Sequence, residues 1–113
     1  MTVVETEHFW RQCNSLLTEQ ERMELVSFVA SNPEAGDIMP ETGGVRKLRW
    51  AAKGKGKRGG ARVIYYFHSD RLPIFMLDLY AKNVKANLSK AERNTIKKRI
   101  PVLLALYGKG RAM

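Results

Sequence analysis

Val45-Arg46-Lys47-Leu48-Arg49-Trp50-Ala51, then Ala61-Arg62-Val63-Ile64-Tyr65-Tyr66-Phe67-His68, then Leu72 through Ala81 are the stretches that decide the fold, because in them the apolar spacing shortens from a helical to a two-residue period. Successive side chains of a strand point to opposite faces, so a period of two predicts three strands. Leu48 and Trp50 fall on one side of the first, Lys47, Arg49 and Ala51 on the other. Between the first two strands, Lys53-Gly54-Lys55-Gly56-Lys57-Arg58-Gly59-Gly60 holds four glycines and nothing apolar, which predicts a basic hairpin loop. Ser69-Asp70-Arg71 reads as the next turn, and Pro73 is tolerable near a strand start.

Upstream the pattern is helical. Phe9, Trp10, Cys13, Leu16 and Leu17 recur at steps of three and four over residues 7–17. Thr18-Glu19-Gln20-Glu21 forms a capping box, in which a threonine hydroxyl and a glutamate three residues later satisfy each other's backbone amides. It opens a second helix with Met23, Val26, Val29 and Ala30 as its apolar face and Leu25 alongside, ended by Asn32-Pro33 and a loop through Gly36, Pro40, Gly43 and Gly44. Thr2 to Thr6 is β-branched and supplies a terminal strand. Downstream, Ser89-Lys90-Ala91-Glu92 is a second capping box, leading into a helix striped with Ile96, Ile100, Leu103, Leu104 and Tyr107. Pro101 denies an amide to the carbonyl of Lys97, which predicts a kink or two helical pieces. The order β-α-α-β-β-β-α describes an α+β fold in a single domain, residues 1–113: a small antiparallel sheet with the two N-terminal helices on one face and a C-terminal helix.

Twenty lysines and arginines against eleven aspartates and glutamates give a formal charge of +9 and a pI near 10.0, and the charge is segregated. Residues 1–41 hold eight acidic and two basic side chains, a balance of −6, while the remainder holds eighteen basic and three acidic, a balance of +15. Residues 42–69 carry eight basic side chains and no acidic one. A polyanionic partner is the expectation. Cys13 is the single cysteine, which excludes an intramolecular disulfide and a cysteine-cluster zinc site and fits a reducing compartment. No apolar run approaches a membrane span and Glu5 and Glu7 interrupt any signal-peptide pattern, so a cytoplasmic location is expected. His8 and His68 have no His, Cys or carboxylate at metal-like spacing, so neither a metal nor a cofactor is expected.

Strand parity then sorts the side chains. Leu48, Trp50, Val63, Tyr65, Phe67, Phe75, Leu77 and Leu79 are expected to pack on the N-terminal helices. Lys47, Arg49, Arg62, Ile64, Tyr66, His68, Met76, Asp78, Tyr80 and Lys82 are expected on the opposite, basic and aromatic face. Arginine forks pair phosphate oxygens, lysine adds point charge, and tyrosine stacks a base or exchanges a proton, so the face has what is needed to hold RNA.

Gly43-Gly44-Val45-Arg46-Lys47-Leu48-Arg49-Trp50-Ala51, Lys57-Arg58-Gly59-Gly60-Ala61-Arg62-Val63-Ile64-Tyr65-Tyr66 and Tyr80-Ala81-Lys82-Asn83, with the element order, resemble the RelE/HigB toxins of bacterial toxin-antitoxin pairs, most closely the HigB-like branch. The resemblance implies a RelE-like fold and a ribosome-dependent endoribonuclease that cleaves mRNA in the decoding site, inhibits translation and is neutralised by a cognate antitoxin, a helix-turn-helix protein. Carried over to this sequence, Arg62 corresponds to the arginine that supports the scissile phosphate and Lys82 to the basic residue closing the last strand. The catalytic loop lysines fall among Lys53, Lys55 and Lys57, and either Tyr80 or Tyr107 takes the place of a tyrosine near the site.

The expected catalytic set is thus Arg62, Lys82, Tyr80, Lys55 and Lys57, with Lys47, Arg49, Lys53, Arg58, Tyr66 and His68 binding RNA. Lacking a histidine pair or paired carboxylates, the motif must draw its acid and base from a lysine among like charges or from Tyr80. The expected reaction is attack of a 2′-hydroxyl on the adjacent phosphate without a metal. Two rival readings share the fold: a ParE-like gyrase inhibitor, and a nucleic-acid-binding protein that cleaves nothing.

Overall fold

The computed structural model describes residues 1–51, 60–85 and 87–112. The chain runs β1 (Val3–Glu5), α1 (Glu7–Leu16), α2 (Glu19–Ser31), β2 (Asp37–Ile38), β3 (Val45–Trp50), β4 (Ala61–Tyr66), β5 (Ile74–Ala81) and α3 (Lys90–Ala112), an α+β architecture as the sequence predicts. Most of the expected segment 53–60 lies outside the described residues; chain description stops at Ala51 and resumes at Gly60.

Capping chemistry sets the helix starts. The Thr18 hydroxyl accepts from the Glu21 amide at 3.1 Å while the Glu21 carboxylate accepts from the Thr18 amide at 2.9 Å. Ser89 and Glu92 repeat the device at 3.1 and 2.8 Å at the mouth of α3. Thr6 caps α1 through the Phe9 amide and also donates to the Met76 carbonyl at 2.8 Å, tying the helix start to β5.

The five strands lie in the order β1-β5-β4-β3-β2. β3, β4 and β5 form the antiparallel meander read from the sequence, but β1 pairs parallel to β5, with Val3 opposite Ile74, so the sheet is mixed rather than wholly antiparallel. β2 was not legible: two residues inside an expected loop pair with Arg46 and Lys47. That loop is pinned from below. The buried Tyr65 hydroxyl donates to the Pro33 carbonyl and accepts from the Gly36 amide, both at 2.8 Å, and Arg46 donates to the carbonyl of Gly36 at 2.7 Å. A Cβ on Gly36 would stand 3.0 Å from the Tyr65 ring, so glycine permits the approach.

Two cores flank the sheet. On one face Phe9, Cys13 and Leu17 of α1 and its exit, with Leu25 and Val29 of α2, pack on Val63, Tyr65, Ile74, Met76 and Leu79. The expected parity of β5 is therefore corrected: Ile74 and Met76 face these helices, whereas Phe75 and Leu77 face away. An irregularity between Ile64 and Tyr65 is the cause, since Ile64 pairs with Asp78 but Tyr65 with Met76, and the extra residue of a bulge reverses parity on either side. On the other face α3 lays Ile96, Ile100, Leu103 and Leu104 over Ile64, Tyr66, Phe75, Leu77 and Tyr80. The face expected to be open is thus largely a second core.

Three helical expectations also change. Met23 is 57% exposed, because the inward side of α2 is centred on Leu25 and Val29. Trp10 is 42% exposed and lies beneath the Arg22 guanidinium, 5.4 Å from its ring centre. Of the kink or two pieces expected at Pro101, the two pieces are excluded, because Pro101 sits inside one helix, Lys90–Ala112. A proline removes a single helical hydrogen bond, and apolar anchors on both sides of it, Ile96 and Ile100 before, Leu103 and Leu104 after, pack both halves of the helix on the sheet.

Candidate functional site

Register across three strands builds the site. Arg49 of β3 stands opposite Arg62 of β4, and Arg62 opposite Tyr80 of β5, so the three form one row across the sheet at the roughly 4.8 Å strand spacing. Two residues on from Tyr80, the Lys82 amide donates to the Gly60 carbonyl at 3.2 Å, and Lys47 lies two residues before Arg49 on the same side of β3. Gly60 itself adopts φ 71°, and a Cβ there would lie 2.4 Å from the Trp50 carbonyl oxygen, so only glycine lets β4 begin so close to the end of β3.

Lys47, Arg49, Arg62 and Lys82 line one cleft of about 550 Å³ together with Ala35, Asp37, Leu48 and Asn87. Four cations face one carboxylate, Asp37, which β2 delivers opposite Lys47. Arg62 is only 5% exposed, while Arg49 and Lys82 are exposed. The Arg62 guanidinium donates to the Ala61 carbonyl at 3.4 Å and lines a polar cleft, where a planar guanidinium has the geometry that pairs phosphate oxygens. The Lys47 ammonium donates to the Asn87 side-chain carbonyl at 2.9 Å, joining β3 to the segment ahead of α3.

Tyr80 shares the row but not the solvent. It is 3% exposed, with its ring under the Lys85 ammonium at 4.9 Å and its hydroxyl buried without a hydrogen-bond partner among the described residues. Burial raises its pKa above the usual phenol value, against an opposing pull from Arg62. The hydroxyl therefore keeps its proton and suits a donor better than a base. Lys85 pairs with Glu92, whose carboxyl that ammonium and the Ser89 amide hold below the ordinary range.

The other expected residues distribute differently. Tyr66 is 5% exposed in the second core, and His68 lies exposed beyond the opposite end of β4 from Arg62. Tyr107 packs edge-on against Phe75 at 5.1 Å; Phe75 pairs with Tyr66, so this contact too is at the far end of the sheet, and Tyr80 is the tyrosine beside Arg62. Lys53, Lys55, Lys57 and Arg58 lie outside the described residues. Asp37 and Asn87 were missed by sequence reasoning. Nothing in the residues near Asp37 announces a strand, and Asn87 is drawn in only because the chain doubles back between Lys82 and the capping box at Ser89. His8 donates to or accepts from Asp78 at 2.9 Å, a contact made by the β5 bulge. Among the described residues no group of three or more His, Cys, Asp or Glu is placed to hold a metal, and no helix is long and apolar enough to cross a membrane.

A five-stranded mixed sheet between two N-terminal helices and a long C-terminal helix, with Lys47, Arg49, Arg62 and Lys82 gathered on one cleft over β3, β4 and β5, defines a small α+β protein with a cationic cleft. The family model for the RelE toxin of the RelE / RelB toxin-antitoxin system matches residues 1–110. The chain belongs to that family, and a toxin of this kind implies an antitoxin partner.

Proposed function

We propose that the protein is a ribosome-dependent mRNA endoribonuclease, a toxin whose RNA strand lies in the cleft over Arg49, Arg62 and Lys82. The observation that carries this reading is the convergence of Lys47, Arg49, Arg62 and Lys82 on one cleft with a buried arginine at its floor. In the reaction a base removes the proton of a ribose 2′-hydroxyl, whose oxygen attacks the adjacent phosphorus. The bond from phosphorus to the 5′-oxygen breaks, and that oxygen takes a proton from an acid, leaving a 2′,3′-cyclic phosphate and a 5′-hydroxyl.

Arg62 and Lys82 stabilise the charge that grows on the phosphate, a contribution of about 3 kcal/mol for a well-placed donor. Lys47 and Arg49 hold the neighbouring phosphates. The loop lysines Lys53, Lys55 and Lys57 supply proton transfer, and Tyr80, with its raised pKa, joins as acid once its hydroxyl gains a partner. The step requires only proton transfer and cationic stabilisation, so it proceeds without a metal. Among the described residues no histidine and no pair of carboxylates lines the cleft, and such weak intrinsic acid-base chemistry favours a reaction in which a host orients the RNA. The ribosome fills that role, in the cytoplasm, until the antitoxin binds.

Primer extension on mRNA from expressing cells tests the reading. New 5′ ends that appear with the native protein and vanish with Arg62→Ala are expected. Intact transcripts with arrested growth would instead favour a ParE-like gyrase inhibitor, and RNA binding without new ends a non-enzymatic binder.

A further inference from the structure

A carboxylate sits badly in a cleft that gathers cations for phosphate, because it repels any phosphate that comes near. Asp37 nevertheless lines the cleft with Lys47, Arg49, Arg62 and Lys82. Neutralising a neighbouring cation would be a sufficient role, but the contacts do not assign it. Asp37 stands directly opposite Lys47 in the register of β2 on β3, yet the Lys47 ammonium donates to the Asn87 side-chain oxygen at 2.9 Å. Among the described residues the exposed Asp37 carboxylate takes part in no hydrogen bond or ion pair. An ammonium only donates, so the Asn87 amide turns its oxygen to Lys47, which leaves its NH2 group to donate elsewhere. An open acceptor and an open donor thus flank Lys47 in one cleft.

Distance keeps this pair off the reacting phosphate. Asp37 lies two strands from Arg62 and two residue steps along, because it pairs with Lys47, and Arg49 pairs with Arg62. With strands about 4.8 Å apart and a rise of about 3.3 Å per residue, the two backbone positions are separated by about 12 Å. An RNA strand whose phosphates lie over Arg49 and Arg62 meets Asp37 and Asn87 with a base edge, the part of a nucleotide that offers paired donors. Guanine is the one RNA base with two adjacent donors, N1–H and N2–H, on its Watson–Crick edge, and a carboxylate accepts both at once. Adenine and cytosine set an acceptor nitrogen beside their amino group, and uracil flanks its one N–H with two carbonyls, so each turns a lone pair on the carboxylate. The guanine O6, beside N1–H, accepts and calls for a donor. We propose that Asp37 and Asn87 make the cleft selective for guanine, Asp37 accepting from N1–H and N2–H and Asn87 donating to O6.

This inference rests on the cleft receiving RNA and not on its cutting RNA, so its test uses strands that cannot be cut. Fluorescein-labelled 2′-O-methyl oligouridines of about seven nucleotides, with guanine, inosine, adenine, cytosine or uracil at the centre, are titrated by anisotropy into the full chain. The guanine strand should bind about fivefold or more tighter than the adenine, cytosine and uracil strands, and inosine, which lacks the N2 amino group, should fall between. Asp37→Ala removes both acceptors and should bring all five strands within about twofold of one another, while the uracil strand binds at least as well as before because a repelling charge has gone. Asn87→Ala should shrink the guanine preference by about twofold or more, and Lys82→Ala should weaken every strand alike and leave the preference intact. Circular dichroism verifies that each variant is folded, and Asp37→Asn replaces Asp37→Ala if that variant is not. Intact transcripts in cells beside a guanine preference in vitro would remove the cleavage reading while supporting this one. Absence of binding, equal binding of all strands by the native chain, a guanine preference that survives loss of the Asp37 carboxylate, or uniform weakening in that variant would overturn the proposal.

Discussion

A guanidinium keeps its charge at any pH a folded protein survives, so Arg62, at 5% exposure, brings a permanent positive charge to the cleft. In the proposed reaction its planar fork counts for more than its charge. Arg62→Lys retains the charge and loses the bidentate geometry, and should lower cleavage by about tenfold to a hundredfold, read in single-turnover assays on programmed ribosomes. Gly60 is constrained as tightly by its backbone: Gly60→Ala forces a Cβ against the Trp50 carbonyl at φ 71° and should destabilise the chain by more than about 1 kcal/mol in denaturant titration. Cys13 is 1% exposed, and burial with nearby Glu5 pushes its thiol up to about 12. Thiol reagents at pH 8 should leave the native protein unmodified and label it at the rate of unfolding. The residue types of the cleft were legible in the sequence, but not which aromatic groups would share it. Tyr66 and Tyr80 have the same parity as Arg62 on paper, and α3 buries both.

Elements were legible wherever they carry their own start signal. Both capping boxes formed as read, and Thr18→Ala should cost about 1 kcal/mol of stability by removing the hydroxyl that accepts the Glu21 amide. At the head of α3 the same chemistry makes stability depend on pH. Glu92 is held below its ordinary 4.5 first by the Lys85 ammonium and then by the Ser89 amide. A carboxyl depressed in the folded state stabilises the fold above its unfolded value and loses that contribution as pH falls through the lowered folded one. The stability gap between the native chain and Glu92→Gln should therefore be widest near neutrality and close as pH drops below 4.5, as followed by urea melts. β5 shows where local reading stops. Ile74-Phe75-Met76-Leu77 are all apolar, so the sequence does not tell its two faces apart; the bulge beside Leu77 turns Ile74 and Met76 toward α1, and no side chain in the strand announces the extra residue. β2 is shorter than any pattern a two-residue period can reveal; it exists because Tyr65 and Arg46 hold the preceding loop against β3.

Over the whole molecule, segregated charge becomes two surfaces. The sheet separates them: α1 and α2, with Glu7, Glu19, Glu21 and Glu24, cover one side, and the cationic cleft opens on the other beyond the reach of α3. Single-stranded RNA binding should weaken linearly with the logarithm of salt concentration, at a slope near −0.7 for each phosphate contacted, and removing Lys47 and Lys82 together should make that slope shallower by roughly 1.4. Filter binding across a salt series measures it. Ile100 is 6% exposed at the centre of the second core, and Ile100→Ala should cost about 2 to 4 kcal/mol there.

The amino-acid order by itself determined the α+β class, the helix starts, the three-strand meander, the charge asymmetry and the pairing of Arg62 with basic neighbours, because capping, strand alternation and charge are properties of short segments. Only the tertiary structure decided which half of the basic face remains open, which tyrosine stands beside Arg62, and that Asp37 and Asn87 close the cleft. Each of those depends on where α3 lies across the sheet, on the bulge in β5 and on contacts between residues far apart in the chain, whose energies appear only once the segments are packed together.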